Sequence, residues 1–253
     1  MAHATPIDVT LPEVAENGGT IPVFARWFGS WKISVQRRAL SPAELSSAYD
    51  REAPGWDRTI SRLGFDDAYQ TMLGQALPST LAGNRDMPLC VLDAGIGTGG
   101  LSAALAKVRP EPIVLSGIDI STGMLDEADH HLREAGLSAD LRQGDVQELP
   151  YEDGAFDLVM AAHVLEHQVD PHRALAEMVR VLKPGGTLLA CLTRRSSLGM
   201  YIHLKWRTHR VTAKEAEAWF ARQGLENTRC LPFEGHARCK NLSLAYIATK
   251  PLA

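Results

Sequence analysis

From Leu89 onward, short apolar runs alternate with stretches in which apolar residues recur every three or four positions. The short runs are rich in Val, Leu, Ile and Ala, as expected of parallel strands covered on both faces. The longer stretches have the period of amphipathic helices. Five strands are predicted, at residues 89–93, 112–119, 139–144, 156–162 and 186–192. The alternation is typical of an α/β fold whose parallel strands are joined by crossover helices.

Capping signals predict where the helices begin and end. Asp170 precedes Pro171, a pair that favours the start of a helix, and Ser121 caps an earlier helix that closes at Gly136. Capping boxes begin at Ser41 and Thr212. These signals and the apolar periods predict further helices from residue 41, at 68–77 and from 212, and two final strands at 228–233 and 242–248.

The composition is that of an ordinary globular protein. The 253 residues are 45% hydrophobic and 22% charged, with a net charge of −4. This balance argues against nucleic acid and anionic membranes as partners, because both attract basic surfaces. We expect neither a signal peptide nor a membrane-spanning segment from the apolar pattern. The first twenty residues show neither a helical nor a strand period and are expected to form a loose arm.

The four cysteines stand at positions 90, 191, 230 and 239 and form no CxxC pair. Their spacing matches no metal-binding motif, so no bound metal is expected. We interpret them as reduced and mostly buried thiols of a cytoplasmic protein.

Residues 91–100, VLDAGIGTGG, lead from a strand through four glycines into a helix. Glycine adopts positive φ and allows close approach of a ligand, and a helix start presents unpaired N–H groups. The loop fits both the GxGxxG pattern of dinucleotide sites and the GxGxG pattern. The loop alone does not distinguish between these two classes of site. Asp93 lies within the turn. Asp119 ends the next strand, where a carboxylate can accept hydrogen bonds from two ribose hydroxyls.

Five segments in order, VLDAGIGTGG, GIDISTGML, GDVQELPYEDGAFDLV, HVLEH and EMVRVLKPGGTLL, resemble the class I S-adenosylmethionine-dependent methyltransferases, and among them the UbiE-like group. The resemblance extends from Tyr49 to the C-terminus. It implies a Rossmann-like, doubly wound sheet of seven strands with the last strand antiparallel, and an N-terminal helical cap. The expected division is a flexible arm (1–40) and a methyltransferase domain (41–253), itself made of a helical cap (41–85), a cofactor-binding core (86–195) and a substrate-shaping segment with the final strands (196–253).

The resemblance also implies residue roles toward S-adenosylmethionine. The implied contacts are Asp93, Gly95 and Gly97 with its methionine part, Asp119 with the ribose, Ile120, Met124, Asp145 and Val146 with the adenine, and His163 near the sulfonium. The segment YDREAPGWDR looks like the family's capping element, so Tyr49 and Trp56 are expected to close over the cofactor. Trp56 stands where a Tyr is more usual.

Methyl transfer from a sulfonium is an in-line displacement, so the enzyme mainly supplies alignment and a dry site. A general base is needed only where the acceptor is protonated. The first candidates are His163 and His167, one helical turn apart, followed by Tyr49, Tyr201 and His203. A structural role for either histidine stays open at this point.

The segment 201–210, YIHLKWRTHR, is basic and aromatic. It fits a solvated face, a clamp for a substrate carboxylate or phosphate, or a site for single-stranded nucleic acid. Because the family places its acceptor pocket in this region, the candidate substrate-binding residues are Arg194, Tyr201, His203, Lys205 and Arg207.

We therefore expect an enzyme that moves a methyl group from S-adenosylmethionine to an N, O or C nucleophile of a small molecule, such as an anionic metabolite or a natural product. Three alternatives stay open. A quinone or lipid-headgroup methyltransferase should carry an apolar membrane-docking surface, an NAD-dependent dehydrogenase should carry a separate substrate domain, and a cofactor-binding protein would lack catalysis. A monomer or homodimer without a nucleic-acid partner is expected.

Overall fold

The computed structural model describes residues 19–77, 87–109, 111–209, 211–235 and 237–252. The first eighteen residues of the expected arm and residues 78–86, at the end of the expected cap and the start of the core, lie outside the described residues. So does Arg210 of the basic segment.

A seven-stranded sheet forms the centre of the molecule. Its strands are β3 (Leu89–Ala94), β4 (Ile113–Asp119), β5 (Ala139–Gln143), β6 (Phe156–Ala162), β7 (Leu182–Thr193), β8 (Glu226–Pro232) and β9 (Ser243–Thr249). Their order is β5-β4-β3-β6-β7-β9-β8. The first five strands run parallel, and β9 is antiparallel to both of its neighbours. The predicted seven-stranded sheet with an antiparallel last strand is confirmed.

Helices cover both faces of this sheet. The helices are α1 (Pro42–Leu63), α2 (Phe65–Ala76), α3 (Gly100–Val108), α4 (Thr122–Glu134), α5 (Pro171–Val181), α6 (Ser197–Trp206), α7 (Ala213–Arg222) and α8 (Ala237–Leu242), with a short 3-10 helix at Leu165–His167. α2, α3 and the end of α4 pack into one core with one face of the strands, whereas α5 and α7 pack into a second core on the other face. This is the doubly wound arrangement. None of the helices in the described ranges is long and apolar enough to cross a bilayer.

The expected caps form. Ser41 and Glu44 make a reciprocal capping box at the start of α1, and Ser121 and Asp170 cap α4 and α5 through their side chains. One strand begins earlier than expected. β7 starts at Leu182 rather than Gly186, because Leu182 pairs with Phe156 ahead of a register shift.

The segment expected as part of a flexible arm contains a β-hairpin instead. β1 (Thr20–Phe28) and β2 (Trp31–Arg38) pair antiparallel around a two-residue turn. β-branched and aromatic residues on either side of Gly29 stabilise this pairing. The base of the hairpin is fixed to the rest of the chain, since Ile21 is 2% exposed and Arg37 donates to the Leu204 carbonyl of α6 at 2.7 Å.

Candidate active site

A cavity of about 450 Å³ opens at the carboxyl ends of β3, β4 and β6, beneath α1 and α6. Its volume is within the usual range of small-molecule sites. The predicted residues that line it are Tyr49, Trp56, Asp93, Gly95, Gly97, Asp119, Ile120, Met124, Asp145, Val146, His163, His167, Tyr201 and Lys205. The fold therefore brings most of the candidate residues to one place.

The glycine loop forms one wall through backbone rather than side chains. Gly95 and Gly97 have φ of 78° and 54°, in the left-handed region that favours glycine. A Cβ on Gly95 would lie 2.3 Å from a methyl carbon of Val164, whereas a Cβ on Gly97 would meet no atom within 4 Å. The space in front of Gly97 is therefore an open cradle that a side chain would fill.

Two buried carboxylates stand beside this loop. Asp93 is 1% exposed and accepts a hydrogen bond from the Ser102 hydroxyl at 2.6 Å. Burial raises the pKa of Asp93 to about 7. Asp119 is held by the N–H groups of Gly97 (2.9 Å) and Ser121 (3.0 Å), and burial raises its pKa as well. All these donors are neutral, so the pair fits a ligand that carries hydroxyl groups and a positive charge.

The next stretch of wall is apolar and suits a flat base. Met124 and Val146 are buried there beside Ile120. Asp145 follows β5 and accepts the N–H of Gln147 at 2.9 Å through one carboxylate oxygen. The residues present thus match the methionine, ribose and adenine parts of S-adenosylmethionine in chain order.

Helix α1 is tied across this wall by a residue that the sequence analysis did not single out. Asp50 accepts hydrogen bonds from the Ser121 hydroxyl (2.6 Å) and from the Gly123 N–H (3.1 Å). Ser46 donates to the Ile120 carbonyl at 3.0 Å. Asp50 lies in the segment YDREAPGWDR, so the available signal was the motif itself. These bonds fix the cap over the cofactor side.

The far side of the cavity is an aromatic cluster, made of Tyr49, Trp56, His167 and Trp206. The rings of Tyr49 and Trp206 stack with centroids 4.7 Å apart, and Trp56 meets both edge-on. His167 tilts against Tyr49 at 5.7 Å. The sequence places Trp206 only within a basic stretch. No local pattern shows that its ring stacks on that of Tyr49, 157 positions earlier in the chain.

Tyr49 and His167 form a polar contact within the aromatic cluster. The Tyr49 hydroxyl lies 3.1 Å from Nε2 of His167. Burial raises the pKa of Tyr49 well above its ordinary value and lowers the pKa of His167 to about 4. The phenol is therefore protonated and the imidazole neutral near pH 7, so the phenol donates and the imidazole accepts. Such a pair can take up a proton.

His163 lines the same cavity in a different electrostatic setting. Its Nδ1 faces Glu166 (3.2 Å) and Thr193 (3.1 Å), and its Nε2 faces the Ser243 hydroxyl (3.1 Å). Burial alone would raise the pKa of Glu166. The hydrogen bond and charge of His163, with smaller contributions from His167 and Thr193, outweigh burial and lower this pKa to about 2. Both ring nitrogens of His163 are thus engaged with protein groups.

The basic segment contributes little charge to the cavity. Tyr201 and Lys205 line it, and the Lys205 ammonium pairs with Glu52 at 2.9 Å. The structure does not bring Arg194, His203 or Arg207 to the lining. The two arginines donate to the carbonyls of Lys240 (3.2 Å) and Arg38 (3.3 Å), and His203 bonds to the Thr208 hydroxyl.

Comparison with known proteins agrees with this geometry. Residues 92–190 match the family model described as methyltransferase domain. A demethylmenaquinone methyltransferase of Lactobacillus johnsonii is 33% identical over 171 residues, which are 66% of this chain and 67% of that protein. A demethylmenaquinone methyltransferase of Clavibacter sepedonicus is 33% identical over 59% of this chain. The chain spans 58% of the length of that second relative.

Among solved structures, a methyltransferase of Thermotoga maritima described as a possible histamine N-methyltransferase shares the fold. The TM-score is 0.61 at 20% identity, over 80% of this chain and 98% of the other. The parallel sheet, the glycine loop and the paired acids define a nucleotide-binding α/β protein. The chain belongs to the class I S-adenosylmethionine-dependent methyltransferases, in their UbiE-like group.

Proposed function

We propose that this protein transfers the methyl group of S-adenosylmethionine to a nucleophilic atom of a small, uncharged, ring-containing acceptor. The observation that carries the proposal is the division of the cavity. One half presents two buried carboxylates and bare glycine backbone, and the other half presents the aromatic cluster. A charged nucleoside ligand fits the first half and an apolar acceptor fits the second.

Toward the cofactor, the Asp93 carboxylate and the bare backbone of Gly95 and Gly97 hold the methionine part, and Asp119 accepts the ribose hydroxyls. Asp145 and Val146 take the polar edge of the adenine. When bound, S-adenosylmethionine supplies an activated methyl group, so the chain needs to align the acceptor and exclude water. The aromatic cluster does both, because its rings, packed in stacked and edge-on pairs, form an apolar wall between α1 and α6.

The Tyr49–His167 pair supplies the base that a protonated acceptor needs. Tyr49 takes the proton from the acceptor atom as that atom forms its bond to the methyl carbon, and Tyr49 passes its own proton to Nε2 of His167. The lowered pKa keeps the His167 imidazole neutral, with Nε2 as an acceptor, and also makes this ring a weak base. The relay therefore suits an acceptor atom whose proton becomes strongly acidic as its bond to the methyl carbon forms. His163, whose ring nitrogens are both bonded, acts as a positioning residue between β6, β7 and β9.

The acceptor class follows from charge. Arg194 and Arg207 lie outside the cavity lining, and the Lys205 ammonium at the lining is paired with a carboxylate, which favours a neutral acceptor over an anionic one. A quinone or lipid-headgroup acceptor is the second candidate. It is favoured by the demethylmenaquinone methyltransferases among the relatives and by the exposed apolar hairpin of β1 and β2.

The proposal also covers the cellular compartment and the oligomeric state. The four thiols are free, which suits the reducing cytoplasm. We place the protein there as a monomer or homodimer that acts on a small molecule rather than on nucleic acid.

Two measurements test the proposal. Calorimetry with S-adenosylhomocysteine and with NAD should show micromolar binding of the first and none of the second. Incubation with methyl-labelled S-adenosylmethionine should then label a ring acceptor in a panel of phenols, quinols, amines and carboxylates. NAD binding without a response to S-adenosylhomocysteine would identify a dehydrogenase, and cofactor binding without transfer to any panel member would identify a non-catalytic binder.

A further inference from the structure

The hairpin of β1 and β2 carries a group of exposed apolar side chains at its tip. Trp31 is 77% exposed, Trp27 64%, and Phe28, Ile33 and Val35 each slightly more than half. Monomers rarely expose large apolar side chains in such a group, because each one costs free energy in contact with water. The tip is therefore expected to be covered when the protein works.

Strand pairing divides these side chains between the two faces of the hairpin. Phe28 pairs with Trp31 and Arg26 with Ile33, so these four share one face. Trp27 pairs with Lys32 on the opposite face. Every residue of β2 is exposed. A two-stranded hairpin without a covering layer is marginally stable in water, so both faces need a partner surface.

The charge of the hairpin identifies that surface. Residues 19–38 contain four cations and no acid, in a chain whose net charge is −4. Arg37 and Arg38 are bonded at the base. Near the tip, Arg26 and Lys32 each lie 5.7 Å from a ring centroid, those of Phe28 and Trp27. A second copy would add like charges to the same face, whereas an anionic apolar surface complements it.

We propose that the hairpin tip, residues 26–33, docks into the interfacial layer of an anionic lipid bilayer. Tryptophan is enriched at the depth of the lipid headgroups, where an amphipathic ring meets both apolar chains and water. Cations flanking the rings bind anionic headgroups. Lipid headgroups thus match both the rings and the charges of this tip.

Docking also orients the active site. The hairpin leads through Ala39 directly into Leu40 and Pro42, which line the cavity. An apolar acceptor dissolved in the bilayer would then enter beneath α1. This delivery rests on the proposed function, whereas docking itself requires no reaction.

The test is co-sedimentation of the full chain with vesicles of equal parts phosphatidylglycerol and phosphatidylcholine, and with phosphatidylcholine alone. The W27S/W31S variant removes the rings, and R26Q/K32Q removes the charges. L252S is the matched control, because Leu252 is 82% exposed elsewhere on the surface. Unchanged circular dichroism establishes that each variant is folded, and light scattering gives the oligomeric state.

We expect the unmodified chain to bind the anionic vesicles. Each hairpin variant should bind them about ten-fold more weakly or worse, and L252S should bind as the unmodified chain does. About 0.5 M NaCl should weaken binding of the unmodified chain by screening its cations. No binding to anionic vesicles, or equal binding by W27S/W31S, overturns the proposal. So does a dimer that W27S/W31S dissociates in the absence of lipid, which would assign the tip to a second copy. S-adenosylhomocysteine binding is measured in parallel. Loss of vesicle binding with intact S-adenosylhomocysteine binding contradicts the docking proposal alone and leaves the proposed function standing.

Discussion

The two halves of the cavity are built by different means. The cofactor half comes from three consecutive strand ends and the turns after them, with Asp93, Asp119 and Asp145 each placed by its own strand. The aromatic half joins Tyr49 of α1, His167 of the 3-10 helix and Trp206 of α6, which are far apart in the chain. Backbone geometry thus fixes the cofactor half, whereas side-chain packing between distant elements sets the acceptor half.

The largest expected effect separates the halves by ligand affinity. Asp119→Ala should weaken S-adenosylhomocysteine binding by about 1,000-fold, since two charged hydrogen bonds contribute about 1.5–3 kcal/mol each. The same change leaves the N–H groups of Gly97 and Ser121 without their acceptor. Trp206→Ala, in the other half, should change this affinity less than about three-fold. Calorimetry checks both, and equal losses would show that the halves are not separate.

Next in size is an effect on turnover alone. Tyr49→Phe keeps the ring but removes the hydroxyl that bonds His167, so kcat should fall by about 100-fold, the lower range for general-base catalysis. The dissociation constant of S-adenosylhomocysteine should stay unchanged. His163→Gln should instead lower the melting temperature, because that ring bonds three elements. An unchanged kcat for Tyr49→Phe would contradict the proposed proton relay through Tyr49 and His167.

A smaller effect tests whether backbone shape governs the cofactor half. Gly95→Ala should destabilise the fold by about 2–3 kcal/mol, from positive φ and from overpacking against Val164. Gly55→Ala is the matched control within α1, where a Cβ meets nothing within 4 Å. That change should stabilise the fold by about 0.5–1 kcal/mol. Denaturant unfolding measures both, and similar values for the two variants would contradict the argument.

The smallest effect is a pH dependence confined to the cofactor half. The pKa of Asp93 is raised to about 7 by burial, so in the free protein this carboxyl binds a proton below pH 7. A cationic ligand favours the carboxylate, so binding should release a proton and weaken as pH falls from 7 to 5, by at most about ten-fold per pH unit. Asp93→Asn should reduce this slope to the part that Asp119 contributes, since the pKa of Asp119 is raised as well. Calorimetry in buffers of different ionisation enthalpy counts the released proton.

The same Asp93 shift links pH to folding in the absence of ligand. The pKa of Asp93 is higher in the folded protein than in the unfolded chain. The contribution of Asp93 to the free energy of unfolding is therefore complete below about pH 4 and is lost as pH rises through 7. Bound cofactor should remove most of this loss by stabilising the carboxylate.

Local signals were sufficient to predict the sheet and the side chains that meet at the glycine loop. The capping box of Ser41 and Glu44 forms within four residues, and Asp93 and Asp119 stand at the ends of continuous apolar runs. Such features depend on neighbours in the chain, which the sequence displays directly. The order of the five motif segments predicts the remaining cofactor contacts.

Non-local contacts decided the features that sequence reasoning missed. Arg207 and Arg194 lie outside the cavity lining and donate to the carbonyls of Arg38 and Lys240, and no pattern near either arginine marks those partners. The hairpin at 20–38 was missed because its apolar residues lie on both faces, which hides the alternation of a half-buried strand.

The most direct test of the two-part cavity is a crystal structure of the protein with S-adenosylhomocysteine. Our account predicts the ribose hydroxyls within hydrogen-bonding distance of Asp119, the adenine between Ile120 and Val146, and the sulfur facing Tyr49. A ligand seated among the aromatic rings, with the Asp119 carboxylate free of it, would contradict the account.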